Sequence, residues 1–595
     1  MKNKNGFTLV ELLAVIAILA ILVIIALPNV INMYNRAQKQ TFLTEVKAIY
    51  NAVPDKYFSE TMKGNKLSYV SSKDDSKLNL TGDSSKLNYC IKINSNGNVS
   101  EMKIGNNKYY ILLNKSNKME DLDIDDIYDG KYVQETCNSD VELKVTKSCT
   151  FKGTLKQGAE FVDGQYTYRY KQGGDYSNIF SMSTTLKWKN ISIDGWGVQL
   201  TNKSSTDSVN TSLCTDINDK PIVSMSGMFS KSSASSIDFS SFDTSNVVSM
   251  DAMFAFSKAQ YLNVSNFNTS NVTTMKGMFG YSDASNIDGL EKFDTSKVLN
   301  MSEMFYGCKS KKLNLNNFNT SKVTNMANMF RYAQATTLDV SSFDTSRVYS
   351  MLWMFLDSSA TQIKGLENFN TSNVTNMGGM FQGTKAKSLD LSSFNTSKVT
   401  NMFSMFQGCS ITSLDLSSFD TSKVKDMSGM LENIHVDEIK GLNKLNTSNV
   451  TNMRLMFGRT STSNGTLDLS NFNTSNVTKM DAMFQKSPLL KVDLSSFNTS
   501  NVTDMMFMFS NAEIPEINGL DKFNTSKVTN MAYMFYNSKA KSLDLSSFDT
   551  SSVTDISYMF NGSSATTVYV RTETDMNKFK GSWGVPSGLN FILSK

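Results

Sequence analysis

Histidine is almost missing from this sequence: 595 residues hold one, His435. A histidine-assisted nucleophile, or a metal site needing two imidazoles, is thereby close to excluded. Cysteine is scarce as well. The six, at 90, 137, 149, 214, 308 and 409, include no Cys-x-x-Cys pair, so zinc-ribbon and thioredoxin-like chemistry have no support. Charge excess is lacking too, since a formal net charge of +4 in so long a chain demands neither nucleic acid nor an anionic membrane face. We expect no metal, no cofactor and no catalytic residue, and the chain reads as a non-enzyme.

What is present begins at the N-terminus, with "NGFTLVELLAVIAILAILVIIALP" over residues 5–28. Lys2 and Lys4 precede the run and favour a cytoplasmic start. Leu12 to Leu27 carries no charge, and with residues 7–11 it is about long enough to span a bilayer. Glu11 is the anomaly, because a carboxylate deep in hydrocarbon costs roughly 2.5–3.5 kcal/mol on the mildest scales. A signal peptide would be cut after its apolar core. Here the plausible bond is Gly6–Phe7, ahead of it, so the helix is kept.

This stretch resembles the N-terminus of type IV pilins, pseudopilins and competence pilins. The resemblance rests on Gly6 before the cut, Phe7 after it, Glu11 four residues on, and Pro28 closing the apolar run. It implies cleavage after Gly6 by a prepilin peptidase and methylation of the new amine on Phe7. It also implies that Glu11 neutralises the N-terminal amine of a neighbouring subunit during assembly. A fixed positive partner makes a buried carboxylate tolerable. The competing reading is a plain anchor whose Glu11 reaches back to the interface.

Beyond Pro28, Leu43, Val46, Ile49 and Tyr50 keep a helical period. One long pilin-type helix over residues 7–52 is expected, after a leader at 1–6. Tyr89, Ile91 and Ile93 then alternate with polar neighbours. Asn96-Gly97 suggests a hairpin, and Val99, Met102, Ile104, Tyr110 and Ile111 continue a small antiparallel sheet over 53–140. Cys90 and Cys137 are disulfide candidates in that region, as are Cys149 and Cys214 in the next. Residues 141–219 read as a β-rich junction or N-terminal cap. Its Trp188 and Trp196 are either a sugar platform or, as we favour, apolar closure at the end of an array.

A repeat fills most of the remainder. A Met-x-x-Met-Phe unit recurs fourteen times, from Phe229 to Phe560, with Leu431 for Phe in the ninth copy and Ile556 for the first Met in the last, in steps of 25 to 27 residues. That period belongs to solenoids. In "VTNMFSMFQGCSITSLDLSSFDTSK", Leu414, Leu416 and Phe419 suit an inward strand and corner, with Asp415 outward. Met-x-x-Met-Phe suits a helical turn or a short strand. Asx-Thr-Ser is turn chemistry. Every third copy replaces "LSSF" with "GLEKF", "GLENF", "GLNKL" or "GLDKF", which we read as duplication of three-repeat blocks.

The block resembles the BspA-like leucine-rich-repeat surface proteins through its "LDLSSFDTSNVTNMxxMF" phrase. The resemblance covers about Val223 to Val570 and implies a leucine-rich-repeat-like solenoid, mainly β with short helical turns, used for adhesion. Fourteen coils give a rod of roughly 65–70 Å at about 4.8 Å each. The solenoid is assigned to 220–562 and a C-terminal cap to 563–595. Two faces could bind. One carries Asn263, Asn314, Asp339, Asp390, Asp415, Asp468, Asp493 and Asp544; it reads as a solvated polar face, with Lys387, Lys541 or cations relieving repulsion. The other carries Trp353, Phe403, Phe507, Tyr533 and Tyr558 within Met-x-x-Met, either an adhesive strip or packing between coils. Cys308 and Cys409 read as small buried side chains, and His435 as a surface residue.

The expected protein is therefore a single-pass, multidomain bacterial surface protein with its bulk outside the membrane. It would be a minor or tip pilin whose partners are prepilin peptidase, other pilin subunits, and a host or cell-surface protein or glycan. Rival readings are an unassembled surface receptor, a competence pseudopilin and a carbohydrate-active protein. No basic stripe points to nucleic acid.

Overall fold

A computed structural model describes residues 9–65, 67–73, 76–80, 82–94, 98–113, 119, 124, 127–129, 137, 150–155, 160–170, 174–177, 187–190, 195–209, 213–239 and 242–594. Side chains before Tyr34 are not among these, so Gly6, Phe7 and the environment of Glu11 lie outside the described residues. The Asn96-Gly97 turn and Cys149 also lie outside them. The chain divides into two compact units.

The first unit is a helix against a sheet. Helix α1 (Leu9–Met62) buries Phe42, Leu43, Val46, Ile49 and Val53. These positions recur at three- and four-residue intervals and so share one face. They meet an antiparallel sheet in chain order, β1 (Tyr69–Ser71), β2 (Asn88–Ile93), β3 (Val99–Gly105), β4 (Tyr109–Leu113) and β5 (Tyr128–Asp129). The register places Tyr89 opposite Ile104 and Ile91 opposite Met102, and all four are buried in the same core. Burying each such side chain is worth roughly 1.5–3 kcal/mol. A disulfide joins Cys90 to Cys137 across 47 residues. Among the described residues, no helix is long and apolar enough to cross a membrane; the span expected over 7–28 falls on side chains outside them.

The second unit is mostly β, a solenoid of about 16 turns with few helices. Its N-terminal part is a hairpin of residues 160–163 and 166–170. Residues 196–200 pair antiparallel with 166–170 and parallel with 220–224. Trp196 is buried against Phe161, ring centroids 4.8 Å apart, and is thus apolar closure rather than a sugar platform. The Trp188 side chain lies outside the described residues.

From Ser224 a ladder of parallel bridges runs through Ser249, Thr274, Asn300 and onward, one residue per coil, to Asp555. Inside, the Phe that ends each Met-x-x-Met-Phe stacks on the next, as in Phe254–Phe279 at 5.5 Å and Phe509–Phe535 at 5.5 Å. Leu431 interrupts that column. The corner Phe residues form a second column at slightly wider spacing, as in Phe394–Phe419 at 6.5 Å. A third column is polar. The Thr of Asx-Thr-Ser points inward, fully buried, and its hydroxyl donates to the next coil's Asx carbonyl, Thr396 to Asp420 at 2.8 Å. The Asx side chain caps its own turn, Asn395 Oδ1 accepting from Ser397 N–H at 3.1 Å.

Met-x-x-Met-Phe is neither helix nor strand, contrary to the expectation. It is a run of consecutive turns. In coil 8 the N–H groups of Met402, Ser404, Phe406 and Gly408 donate to carbonyls of Asp426, Ser428, Met430 and Glu432 in the next coil. The intervening N–H groups of Met405, Gln407 and Cys409 close turns onto Met402, Ser404 and Phe406. Every donor is satisfied, alternately between coils and within one. Such a path needs left-handed backbone. In each coil the residue before the second Met, and the residue four further on, have positive φ.

The Gly-Leu corners also acquire a physical reason beyond block duplication. Gly289, Gly365, Gly441 and Gly519 have φ between 73 and 100, each opening a one-turn 3-10 helix. A Cβ on Gly365 would stand 2.4 Å from the Ser341 backbone. Only glycine fits there.

Candidate binding surface

The turn face carries the aromatic residues singled out in the sequence, and the structure places them unequally. Trp353, Phe507, Tyr533 and Tyr558 occupy the first left-handed position, with φ of 55, 59, 57 and 56. Phe403 sits one residue earlier, next to left-handed Ser404. A bulky side chain at positive φ is an outlier costing about 1–2 kcal/mol. Other coils place Gly227, Gly277, Gly379 and Gly429 at that position, so the fold does not require bulk.

Two aromatic rows result. Toward the C-terminal end, Phe507 stacks on Tyr533 at 4.8 Å, Tyr533 on Tyr558 at 5.1 Å, and Trp583 of the cap leans on Tyr558 at 6.0 Å. Trp583 is 70 % exposed. Nearer the start, Trp353 lies over Gly379, where a Cβ would stand 2.3 Å from the indole. Phe403 covers Gly378 from the other side, and its ring meets Trp353 edge-on at 5.8 Å. The Gly378-Gly379 pair is thus the floor on which the two rings converge.

The second left-handed position escaped the sequence reading, and it extends the first row. Phe256, Tyr281 and Tyr332 occupy it. With Tyr306 they form a column, Phe256–Tyr281 at 5.0 Å, Tyr281–Tyr306 at 4.6 Å and Tyr306–Tyr332 at 5.8 Å. The Arg331 guanidinium stands 4.9 Å from the rings of Tyr332 and Trp353 and 5.3 Å from Tyr306. Beside it, burial pushes the Glu303 carboxyl up, against the pull of Lys276 and Arg331. The signal was available: these residues directly follow Met-x-x-Met-Phe or lie one beyond.

Most ring faces in both rows are taken by another ring, a guanidinium or a glycine. What remains outward is edges, phenol hydroxyls, Arg331 and, at the C-terminal end, the exposed Trp583 ring. Sugar stacking needs a free face, whereas protein contact accepts edges and hydroxyls; Trp, Tyr and Arg dominate protein–protein hot spots.

The strand face carries the acidic row, with two exceptions: Asn263 is buried, its Oδ1 accepting from Ser265 N–H, and Asn314 keeps a buried Oδ1 that accepts no hydrogen bond among the described residues. Each aspartate caps its own turn. Asp339, Asp390, Asp415, Asp468, Asp493 and Asp544 all accept the N–H two residues on, at 2.9–3.1 Å. The following Ser holds Asp339, Asp390, Asp415, Asp468 and Asp493 below the usual carboxylate range. Like charges do not stack in register. At Asp339 and Asp415 the lysine of the following coil, Lys364 and Lys440, stands opposite the carboxylate, and Asn518 stands opposite Asp493.

Elsewhere the residues are quiet. Cys308 and Cys409 are buried, and burial pushes their thiols up to about 12 and about 11, which keeps them protonated and inert. Cys214 is disulfide-bonded, while Cys149, its candidate partner from the sequence, lies outside the described residues. His435 is exposed and bonds Ser461 Oγ at 2.7 Å.

A family model described as "Mycoplasma protein of unknown function, DUF285" matches residues 200–288, 280–364, 349–467, 433–515 and 514–582. A second, described as "Prokaryotic N-terminal methylation motif", matches residues 1–27. No curated protein and no solved structure matches the chain.

Proposed function

Because the chain belongs to the DUF285 family through its repeat array, and carries a prokaryotic N-terminal methylation motif ahead of it, we propose a pilin-like surface protein whose solenoid is an adhesive head. The observation that carries this reading is the union of motif and array in one chain. The motif suggests processing by a prepilin peptidase and a pilin-assembly context. The array supplies a long, rigid and repetitive surface. On this reading Gly6–Phe7 is the processed bond, residues 7–28 span the membrane, and Glu11 pairs with a neighbouring subunit's N-terminal amine. So bulky a head is hard to repeat along a shaft, so it belongs at the tip or in low copy. On this reading the array is leucine-rich-repeat-like.

The protein is not an enzyme in this account. Catalysis needs one coil that differs, and the coils offer nearly the same residues throughout. Partner binding is assigned to the turn face, where bulky residues occupy left-handed positions that four other coils give to glycine.

Fractionation of the native organism tests the reading, comparing wild type with Gly6→Ala and Glu11→Ala. Wild type should appear in sheared filaments, Gly6→Ala as an unprocessed membrane precursor, and Glu11→Ala as processed but unassembled. If all three stay alike in the membrane fraction, the protein is an anchored receptor that never assembles.

A further inference from the structure

The strand face is not one continuous sheet. Parallel rungs join residues 261–263 to 286–288, 337–339 to 362–364, 414–415 to 439–440, and 491–493 to 516–518. In each of these pairs the second strand leads into a Gly-Leu corner. After the first three the next coil carries no strand, at 313–315, 389–391 and 467–469; after the fourth, residues 542–545 form a strand that pairs forward with 567–570 and not back with 516–518. A coil with a Gly-Leu corner takes 26 residues where its neighbours mostly take 25. The added residue leaves the next strand out of step with the ladder.

Between coils 7 and 8 this interruption opens a slit. It is pinned at one end by Thr412 N–H on the Lys387 carbonyl, 3.2 Å, and at the other by Ser418 Oγ on the Leu391 carbonyl, 3.2 Å. Between the pins is a pocket of about 440 Å³ lined by Ser388, Leu389, Asp390, Leu391, Asp415 and Ser417 among others. That volume lies within the usual range for small-molecule sites.

The slit holds unused hydrogen-bonding groups. Among the described residues, the N–H groups of Leu389 and Leu391 find no acceptor, whereas Leu416 one coil on donates to Lys440 at 2.9 Å. The Asp415 carbonyl, which a regular rung would pair with Leu391, receives no hydrogen bond from it. Both carboxylates spend Oδ1 on their own turns, and among the described residues Oδ2 accepts no hydrogen bond, although the charges of Lys440 and Lys444 act on Asp415. Unpaired donors and acceptors in one pocket call for a ligand group that is both. A hydroxyl is such a group, and vicinal hydroxyls match a carboxylate's two oxygens. Leu389 is half-buried and offers an apolar patch to ring carbons. A divalent cation is served less well, because it needs six to eight oxygens and one oxygen of each aspartate is committed.

We propose that the slit between coils 7 and 8 binds one sugar unit of a glycan, through Asp390, Asp415 and the open backbone of Leu389 and Leu391. The proposal rests on the adhesive reading for its biological setting and gives that reading a ligand class. Binding is tested on purified protein, so it can fail while filament assembly succeeds, and the reverse.

The experiment is saturation-transfer-difference NMR on the full chain in a sugar-free detergent, against glucose, galactose, mannose and N-acetylglucosamine at millimolar concentration. At least one sugar should give a signal, and Asp390→Asn or Asp415→Asn should weaken it about tenfold, as loss of a charged hydrogen bond predicts. Asparagine stands at the same place in coils 2 and 4 as Asn263 and Asn314, so the fold should survive; unchanged melting checks this. Asp544→Asn, in a strand paired forward with residues 567–570, should leave the signal intact. Silence from the whole panel would overturn the proposal, and so would equal loss in Asp544→Asn. Calorimetry showing Ca²⁺ binding that the same two variants abolish, with no sugar signal, would replace it with a cation site.

Discussion

Asp575 completes a hydrogen bond that every earlier coil makes to its successor. Thr550 is the last member of the threonine column, and no further coil offers it a carbonyl. Instead the Asp575 carboxylate accepts its N–H at 3.0 Å and its hydroxyl at 2.8 Å. Asp575 lies in α2 (Glu573–Lys580), whose Lys578 also donates to the Thr550 and Val553 carbonyls. The cap thus imitates a coil with side chains.

This relationship predicts acid sensitivity. Burial would raise Asp575, but Thr572, Arg571 and Thr550 outweigh it and hold the carboxyl at about 2. The unfolded carboxyl titrates near about 3.9. Its stabilisation is therefore present above that value and is lost as pH falls from about 4 to about 2. Asp575→Asn should cost on the order of 2 kcal/mol at neutral pH and flatten that part of the pH–stability profile. Thermal unfolding across the range, wild type against variant, reads both.

The threonine column gives a second test. Thr396→Val keeps the shape but removes the hydroxyl, leaving the Asp420 carbonyl without its donor. A loss of about 1–3 kcal/mol is expected. Denaturant titration measures it, and a neutral result would mean the hydroxyl contributes nothing to coil stacking.

Glycines should separate by what lies near them. At Gly365 a methyl group would strike the preceding coil's backbone, while at Gly408 its nearest contact is at 3.6 Å. Gly408→Ala should cost about 1–2 kcal/mol for the left-handed backbone alone. Gly365→Ala should cost more than about 3 kcal/mol, or prevent folding. Equal midpoints for the two would refute the steric account.

Tyr533→Gly separates adhesion from packing on the turn face. Relief of the left-handed tyrosine returns about 1–2 kcal/mol, and losing stacks on Phe507 and Tyr558 costs about 0.5–1.5 kcal/mol each. Stability should thus change by about 1 kcal/mol or less, while adherence of the native organism falls. A loss beyond about 3 kcal/mol would make the ring a structural member.

Cysteine replacement should act on one unit only. Removing the Cys90–Cys137 link with serines is expected to cost the helix-and-sheet unit about 2–4 kcal/mol. The solenoid's own unfolding midpoint should not move. Hydrogen exchange read separately in the two units distinguishes this from a global effect.

The buried skeleton was legible because it is periodic. Val399, Met402, Met405, Phe406, Leu414, Leu416 and Phe419 are all buried in coil 8, as the repeated letters require, and α1 buries the stripe that its period marks. The path of Met-x-x-Met-Phe was not legible. Left-handed backbone announces itself only through glycine, and most coils place another residue there. The Thr of Asx-Thr-Ser was read with the turn, although it points inward; nothing local distinguishes a threonine that caps a bend from one that bonds the next coil. The aromatic row was half seen, because Tyr281, Tyr306 and Tyr332 lie outside the motif that drew attention. That Lys364 and Lys440 stand opposite Asp339 and Asp415 was not legible, because register across coils is not written in the repeat itself.

That added residue also defines how such an array can change length. A block of three coils begins and ends in the same register, so inserting or deleting a whole block leaves both caps with the neighbours they already fit. Removing a single coil would bring two out-of-step strands together. Reach would then vary in fixed increments of about 14 Å, three coils at about 4.8 Å.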